Sequence, residues 1–177
     1  MHRRSVASAD APTLCVVLAL LAGCTPSGPI DVSIHPLADP SSPLDASVVL
    51  PIEFGSQGGF HTFVTLSLNN LVPGEPDLLE GLREDNLPLV RVEVAAPDGL
   101  LNAPSMQAVV LERDGVAWTS GPLLVLLQYY EADPPSGFEP EARQEEIEGF
   151  IVTFTVEVED ARGGLGIAEA EARLDFP

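Results

Sequence analysis

Gly55-Ser56-Gln57-Gly58-Gly59-Phe60-His61 places a histidine just inside a predicted strand, behind three glycines and a glutamine. A neutral imidazole suits copper or zinc. It suits equally well a structural role, in which the ring bonds a neighbouring loop and holds it. A metal needs further ligands. From residue 24 onward the histidines are His35 and His61, and the sulfur atoms belong to Cys24 and Met106. None stands at ligand spacing from His61, so the pattern favours the structural histidine.

Two acidic runs offer oxygen ligands instead. Glu75, Asp77, Glu80, Glu84 and Asp85 fall in one connection, with Arg83 among them. Asp133, Glu139, Glu141, Glu145, Glu146 and Glu148 fall in another, relieved by Arg143. Calcium gathers ~6–8 oxygens, often from clustered carboxylates. The D-x-[DN]-x-[DN]-G loop is absent, however, and the runs read as solvated connections. Paired carboxylates also serve glycosidases, but nothing here defines a pair. No G-x-S-x-G elbow, P-loop or G-x-G-x-x-G follows a predicted strand. The cysteines are Cys15 and Cys24, and there is no lysine for a Schiff base. Trp118, Tyr129 and Tyr130 could line a sugar-binding face, although the core or its rim is their commoner place. The expectation is a chain with no catalytic, cofactor-binding or metal residues.

Leu21-Ala22-Gly23-Cys24 follows Arg3-Arg4 and an apolar run from Leu14 to Leu21. A short cationic region, an apolar stretch and small residues before a cut describe a secretory signal. The apolar run is far short of the ~20 residues that a spanning helix needs. The L-A-G-C box resembles the lipobox of bacterial lipoproteins. That resemblance implies cleavage before Cys24, lipidation of Cys24 and attachment to a membrane through it. Thr25, rather than an aspartate, follows the cysteine, which favours the outer membrane, with a periplasm-facing or surface-exposed domain.

The charge balance narrows the partners. The chain carries 8 basic and 27 acidic residues, a net −19. Removing residues 1–23 deletes Arg3, Arg4 and Asp10 and leaves −20. Such a surface repels phosphate backbones, so nucleic acid is excluded as a partner. No polybasic patch exists to grip anionic lipid. Cys15 leaves with the signal and Cys24 carries lipid, so the mature chain forms no internal disulfide.

Those residues must be positioned by strands. Phe60, Thr62, Val64, Leu66 and Leu68 alternate with His61, Thr65, Ser67 and Asn69. Val90, Val92 and Val94 alternate with Arg91 and Glu93. The even-numbered positions from Phe150 to Val158, and from Ala168 to Phe176, repeat the pattern. Period two is what half-buried antiparallel strands require. Leu123–Leu127 is apolar throughout and reads as a central strand covered on both faces. Pro97-Asp98-Gly99, Arg113-Asp114-Gly115 and Asp160-Ala161-Arg162-Gly163-Gly164 are turn sequences. Asp77–Arg83 and Glu139–Ile147 read as short helices, each with a proline at its start.

Five prolines, at 26, 29, 36, 40 and 43, mark residues 24–45 as a semi-rigid spacer. Within it, Ile30–Ile34 has the pattern of an edge strand. The expected organisation is a signal peptide at 1–23, lipidated Cys24 with a Pro-rich tether at 24–45, and one domain at 46–177. That domain is expected to be an all-β, antiparallel, immunoglobulin-like β-sandwich. Its closing hairpin, VTFTVEVEDARGGLGIAEAEARLDF, resembles the terminal strands of immunoglobulin-like domains on bacterial surfaces. The G-x-Q-G-G-x-H stretch resembles one in uncharacterised bacterial lipoproteins with sandwich-like domains. Together these imply a non-enzymatic envelope or cell-surface lipoprotein that binds an envelope protein or glycan, or serves structurally. The alternative is a metal-associated periplasmic lipoprotein, using His61 for copper or zinc or the acidic runs for calcium.

Overall fold

Alternation of apolar and polar residues is translated directly into strands. The structure is a computed structural model that describes residues 28–55, 59–74, 87–97, 99–102, 104–127 and 147–177. Along the chain run β1 (Asp31–Pro36), β2 (Val49–Pro51), β3 (Glu53–Phe54), β4 (Phe60–Asn69), β5 (Leu89–Ala96) and β6 (Gly99–Leu100). They are followed by β7 (Met106–Ala108), β8 (Leu111–Asp114), β9 (Ala117–Ser120), β10 (Leu123–Leu127), β11 (Ile151–Glu159) and β12 (Leu165–Asp175). The strands form two six-stranded sheets. One runs β1-β4-β9-β8, with β3 and β10 also paired to β4. The other runs β2-β12-β11-β5-β6, with β7 also on β5. Every pairing is antiparallel except β2 with β12.

The core lies between the sheets and is built from the even-numbered faces. Val64, Leu66 and Leu68 on β4 meet Val90, Val92 and Val94 on β5, and Val152, Phe154, Val156 and Val158 on β11. Ala172 and Leu174 extend it along β12. The small alanines of β12 leave room for β1, which crosses close by. A methyl group added to Gly166 would stand 2.7 Å from Ile30 Cβ and 2.9 Å from the Ile30 carbonyl oxygen. A backbone oxygen cannot swing aside. Gly166→Ala is therefore expected to destabilise the fold by about 1–3 kcal/mol, the range for overpacking. A denaturant titration in which its midpoint matches the wild type would refute that close approach.

Two expectations need correction. Leu123–Leu127 is covered on one face, not both: Leu124 and Leu126 are 46% and 51% exposed, while Leu123, Val125 and Leu127 are buried. β10 belongs to the outer layer of a two-sheet stack, and such a stack covers each sheet once. The described part of the presumed spacer, from Gly28 to Asp45, also lies on the body. β1 pairs with β4 from Asp31–Asn69 to Pro36–Val64, and Ile30, Ile34 and Leu44 are buried. Period-two placement of Ile30 and Ile34, buried, and Val32, partly buried, outweighed the prolines, and Pro36 falls at the end of an edge strand, where proline is tolerated. Asp39 and Asp45 then close turns by accepting bonds from the Ser41 and Ser47 backbone N–H groups, at 3.2 and 2.7 Å. The helices read over Asp77–Arg83 and Glu139–Ile147 lie outside the described residues, apart from buried Ile147.

Each sheet has a gap in one ladder, and each gap is filled by a side chain. On β4, three steps from Val64 to Ser67 face four on the partner, from Leu123 to Thr119. This is a bulge between β9 and β10. There the Leu66 N–H donates to Ser120 Oγ at 2.9 Å. On β5, β6 and β7 leave Val92–Val94 uncovered. Asn102 takes their place: its Oδ1 accepts from the Val94 N–H at 2.8 Å, and its Nδ2 donates to the Val92 carbonyl at 2.6 Å. Buried backbone groups left unpaired are costly, which explains why two polar side chains sit at less than 10% exposure.

Candidate functional site

Glycine conformation decides where His61 sits. Gly59 has φ +85°, a left-handed value that a side chain disfavours. The Gly55 N–H donates to the Gly59 carbonyl at 3.0 Å, closing the turn between β3 and β4. The hairpin pairs Phe54 with Phe60 and Glu53 with His61. His61 Nε2 stands 3.7 Å from Glu53 Oε2, and its ring meets the Phe63 ring edge-on at 5.2 Å. Gly55 and Gly59 thus close a hairpin that sets the histidine beside the carboxylate of its short arm. The Glu53 carboxylate is exposed, so solvent screens the contact from its side.

Apart from Glu53, the neighbours of His61 on this face are apolar. Leu126 pairs with His61 and Leu124 with Phe63 on the outward face of the sheet. His35, opposite Thr65, lies on that face too. Both ring nitrogens of His35 are buried without a hydrogen-bond partner among the described residues. Thr65 and His61 are four positions apart on β4, about 13 Å at the rise of a strand. The two histidines therefore do not share a ligand. Among the described residues, no three His, Cys, Asp or Glu side chains converge as a metal would require.

Trp118 sits at the rim of the core, half-buried, with the Arg113 guanidinium 5.8 Å from its ring centroid. Glu148 is exposed. Cys24, Tyr129, Tyr130 and the other carboxylates of the two acidic runs lie outside the described residues.

Asp160 was legible as a turn residue but not as a clamp. Its Oδ1 accepts from the backbone N–H groups of Arg162 and Gly164 at 2.9 and 2.7 Å. Its Oδ2 accepts from the Val72 N–H at 2.9 Å, from a connection 88 residues away. Burial alone pushes this carboxyl up. The three N–H donors, with the Arg162 charge, outweigh burial and hold it below the usual carboxylate value. Asp160 thus ties the β11–β12 turn to the segment that leaves β4. An aspartate heading a Gly-Gly turn is the local signal for such a bond, but the partner at Val72 has none.

Chemically, Asp160, Asn102 and Ser120 serve to orient backbone. A search of protein-family models, characterised protein sequences and solved structures finds no match to this chain.

Proposed function

We propose that this chain is a lipid-anchored envelope protein whose immunoglobulin-like sandwich binds a partner or serves structurally, without catalysis. The observation that carries the proposal is Leu21-Ala22-Gly23-Cys24, set after a cationic start and an apolar run. Lipid on Cys24 fixes the domain to the outer membrane, facing the periplasm or the exterior. Sheet order supports the immunoglobulin-like reading. In sequence order, β1, β4, β9/β10 and β8 take the places of strands A, B, E and D, while β12, β11 and β5 take those of G, F and C. His61, beside Glu53 in a hairpin, and Asp160, in a backbone clamp, both have a structural use in this reading. Fold alone does not assign function, so an envelope protein or glycan partner rests on location and surface.

Cys24→Ala is the test. In cells making the variant, the protein should leave the membrane fraction or accumulate as the uncut precursor. Membrane fractionation that is unchanged, with the N-terminus still shortened, would overturn the proposal.

A further inference from the structure

The segment joining Cys24 to the body is short. Ile30 is buried and β1 begins at Asp31. The six steps from Cys24 to Ile30 reach about 20 Å at full extension. β4 alone, with ten residues, is ~34 Å long. A lipid on Cys24 therefore holds one end of the domain at the bilayer and leaves the opposite end out of reach.

That near end can be identified from the pairing. Asp31 lies opposite Asn69, so Gly28–Ile30 extend past the last rung of β4. Trp118 lies opposite Leu68, so the Gly115-Val116 turn extends past the same rung from the other side. Gly166 packs against Ile30 and Val32, which brings Leu165 and Ile167 to this end as well. All three apolar side chains are bare: Val116 is 90% exposed, Leu165 67% and Ile167 66%. Single exposed apolar residues are ordinary on any surface. Here three of them stand at the end to which the chain is leashed. At this end Asp31, Asp114, Glu159 and Asp160 outnumber Arg113 and Arg162, which disfavours an anionic lipid surface, so the matching partner is a zwitterionic one.

We infer that this end of the domain, through Val116, Leu165 and Ile167, rests on the lipid surface as a second contact beside the acyl anchor. The inference builds on the lipoprotein reading. Burial of apolar side chains at the interface adds to the membrane affinity that acyl chains supply.

The test uses the mature, full-length protein in phosphatidylcholine vesicles. Nitroxide labels are placed on Val116→Cys, Ile167→Cys and, at the far end, Phe54→Cys. Cys15 is lost with the signal and the Cys24 sulfur is blocked by lipid, so each label is unique. Collision with oxygen reports lipid and collision with a nickel chelate reports water. On vesicle binding, labels at 116 and 167 should gain oxygen contact and lose nickel contact, while the label at 54 stays unchanged. Leu165→Cys repeats the measurement should Ile167→Cys unfold. Labels that all remain equally water-accessible, on protein whose Cys24 carries acyl chains by mass, would overturn the inference and leave the anchor intact. A Cys24 without acyl chains would overturn both.

Discussion

Phe154→Ala is expected to lower the unfolding free energy by about 3–5 kcal/mol, the largest effect of any single change considered for this domain. Phe154 is fully buried at the centre of β11, between Val94 on β5 and Ala170 on β12. Its deletion removes the transfer energy of a whole ring and opens a cavity between two sheets that cannot collapse far. For a domain of this size the loss corresponds to a melting temperature lower by about 10 °C. Thr155 is the control, because it points the other way, between Glu93 and Glu169. Thr155→Ala should fall within about 0.5 kcal/mol of the wild type. Equal effects at the two positions, read from urea midpoints, would mean that the even-numbered face is not the core.

Asp160→Ala ranks second, at about 3 kcal/mol, because one side chain accepts three backbone bonds. Water can replace part of what the turn loses, but the N–H of Val72 is tied to a residue far along the chain. Asp160→Asn should cost less, about 1–2 kcal/mol, since one oxygen still serves Arg162 and Gly164 while the amide faces Val72 with a donor. The pH dependence has a definite sign. Burial raises the Asp160 carboxyl and its N–H donors lower it further, so its folded value lies below the ordinary ~3.9. The carboxylate's stabilisation is present above that ordinary value and is lost as pH falls through the depressed one. Acid titration of stability should therefore show the gap between wild type and Asp160→Asn begin to narrow below about pH 4 and close only below the depressed folded value. A constant gap between the two curves down to the acid limit would contradict this.

Much of the sheet arrangement was legible because one face of each long strand is polar. Thr153, Thr155, Glu157 and Glu159 mark the outside of β11, and Glu169, Glu171 and Arg173 that of β12. The inside follows by alternation. β10 was misread because its outward residues, Leu124 and Leu126, are as apolar as its inward ones, and period two disappears when both faces look alike. β1 was half-hidden by the prolines around it, although Ile30, Val32 and Ile34 carry the strand period. The side-chain bridges were not legible at all. Ser120 and Leu66 are 54 residues apart, and Asp160 and Val72 are 88 apart. What makes each polar residue necessary is a ladder gap that exists only once the strands are registered. Gly166 is the same case, since its close neighbour Ile30 lies 136 residues earlier in the sequence. The Gly55–His61 stretch was read for both chemistry and structure; the structure shows a hairpin turn with His61 beside Glu53 and Phe63.

The measurement closest to the central claim is the mass of the N-terminal peptide from protein purified out of membranes. A lipid-anchored envelope protein predicts a first residue at Cys24, with a mass raised by acyl chains and shifted back by hydrolysis of ester-linked ones. A peptide that begins upstream of Cys24, or one in which Cys24 carries a free thiol, would contradict the account.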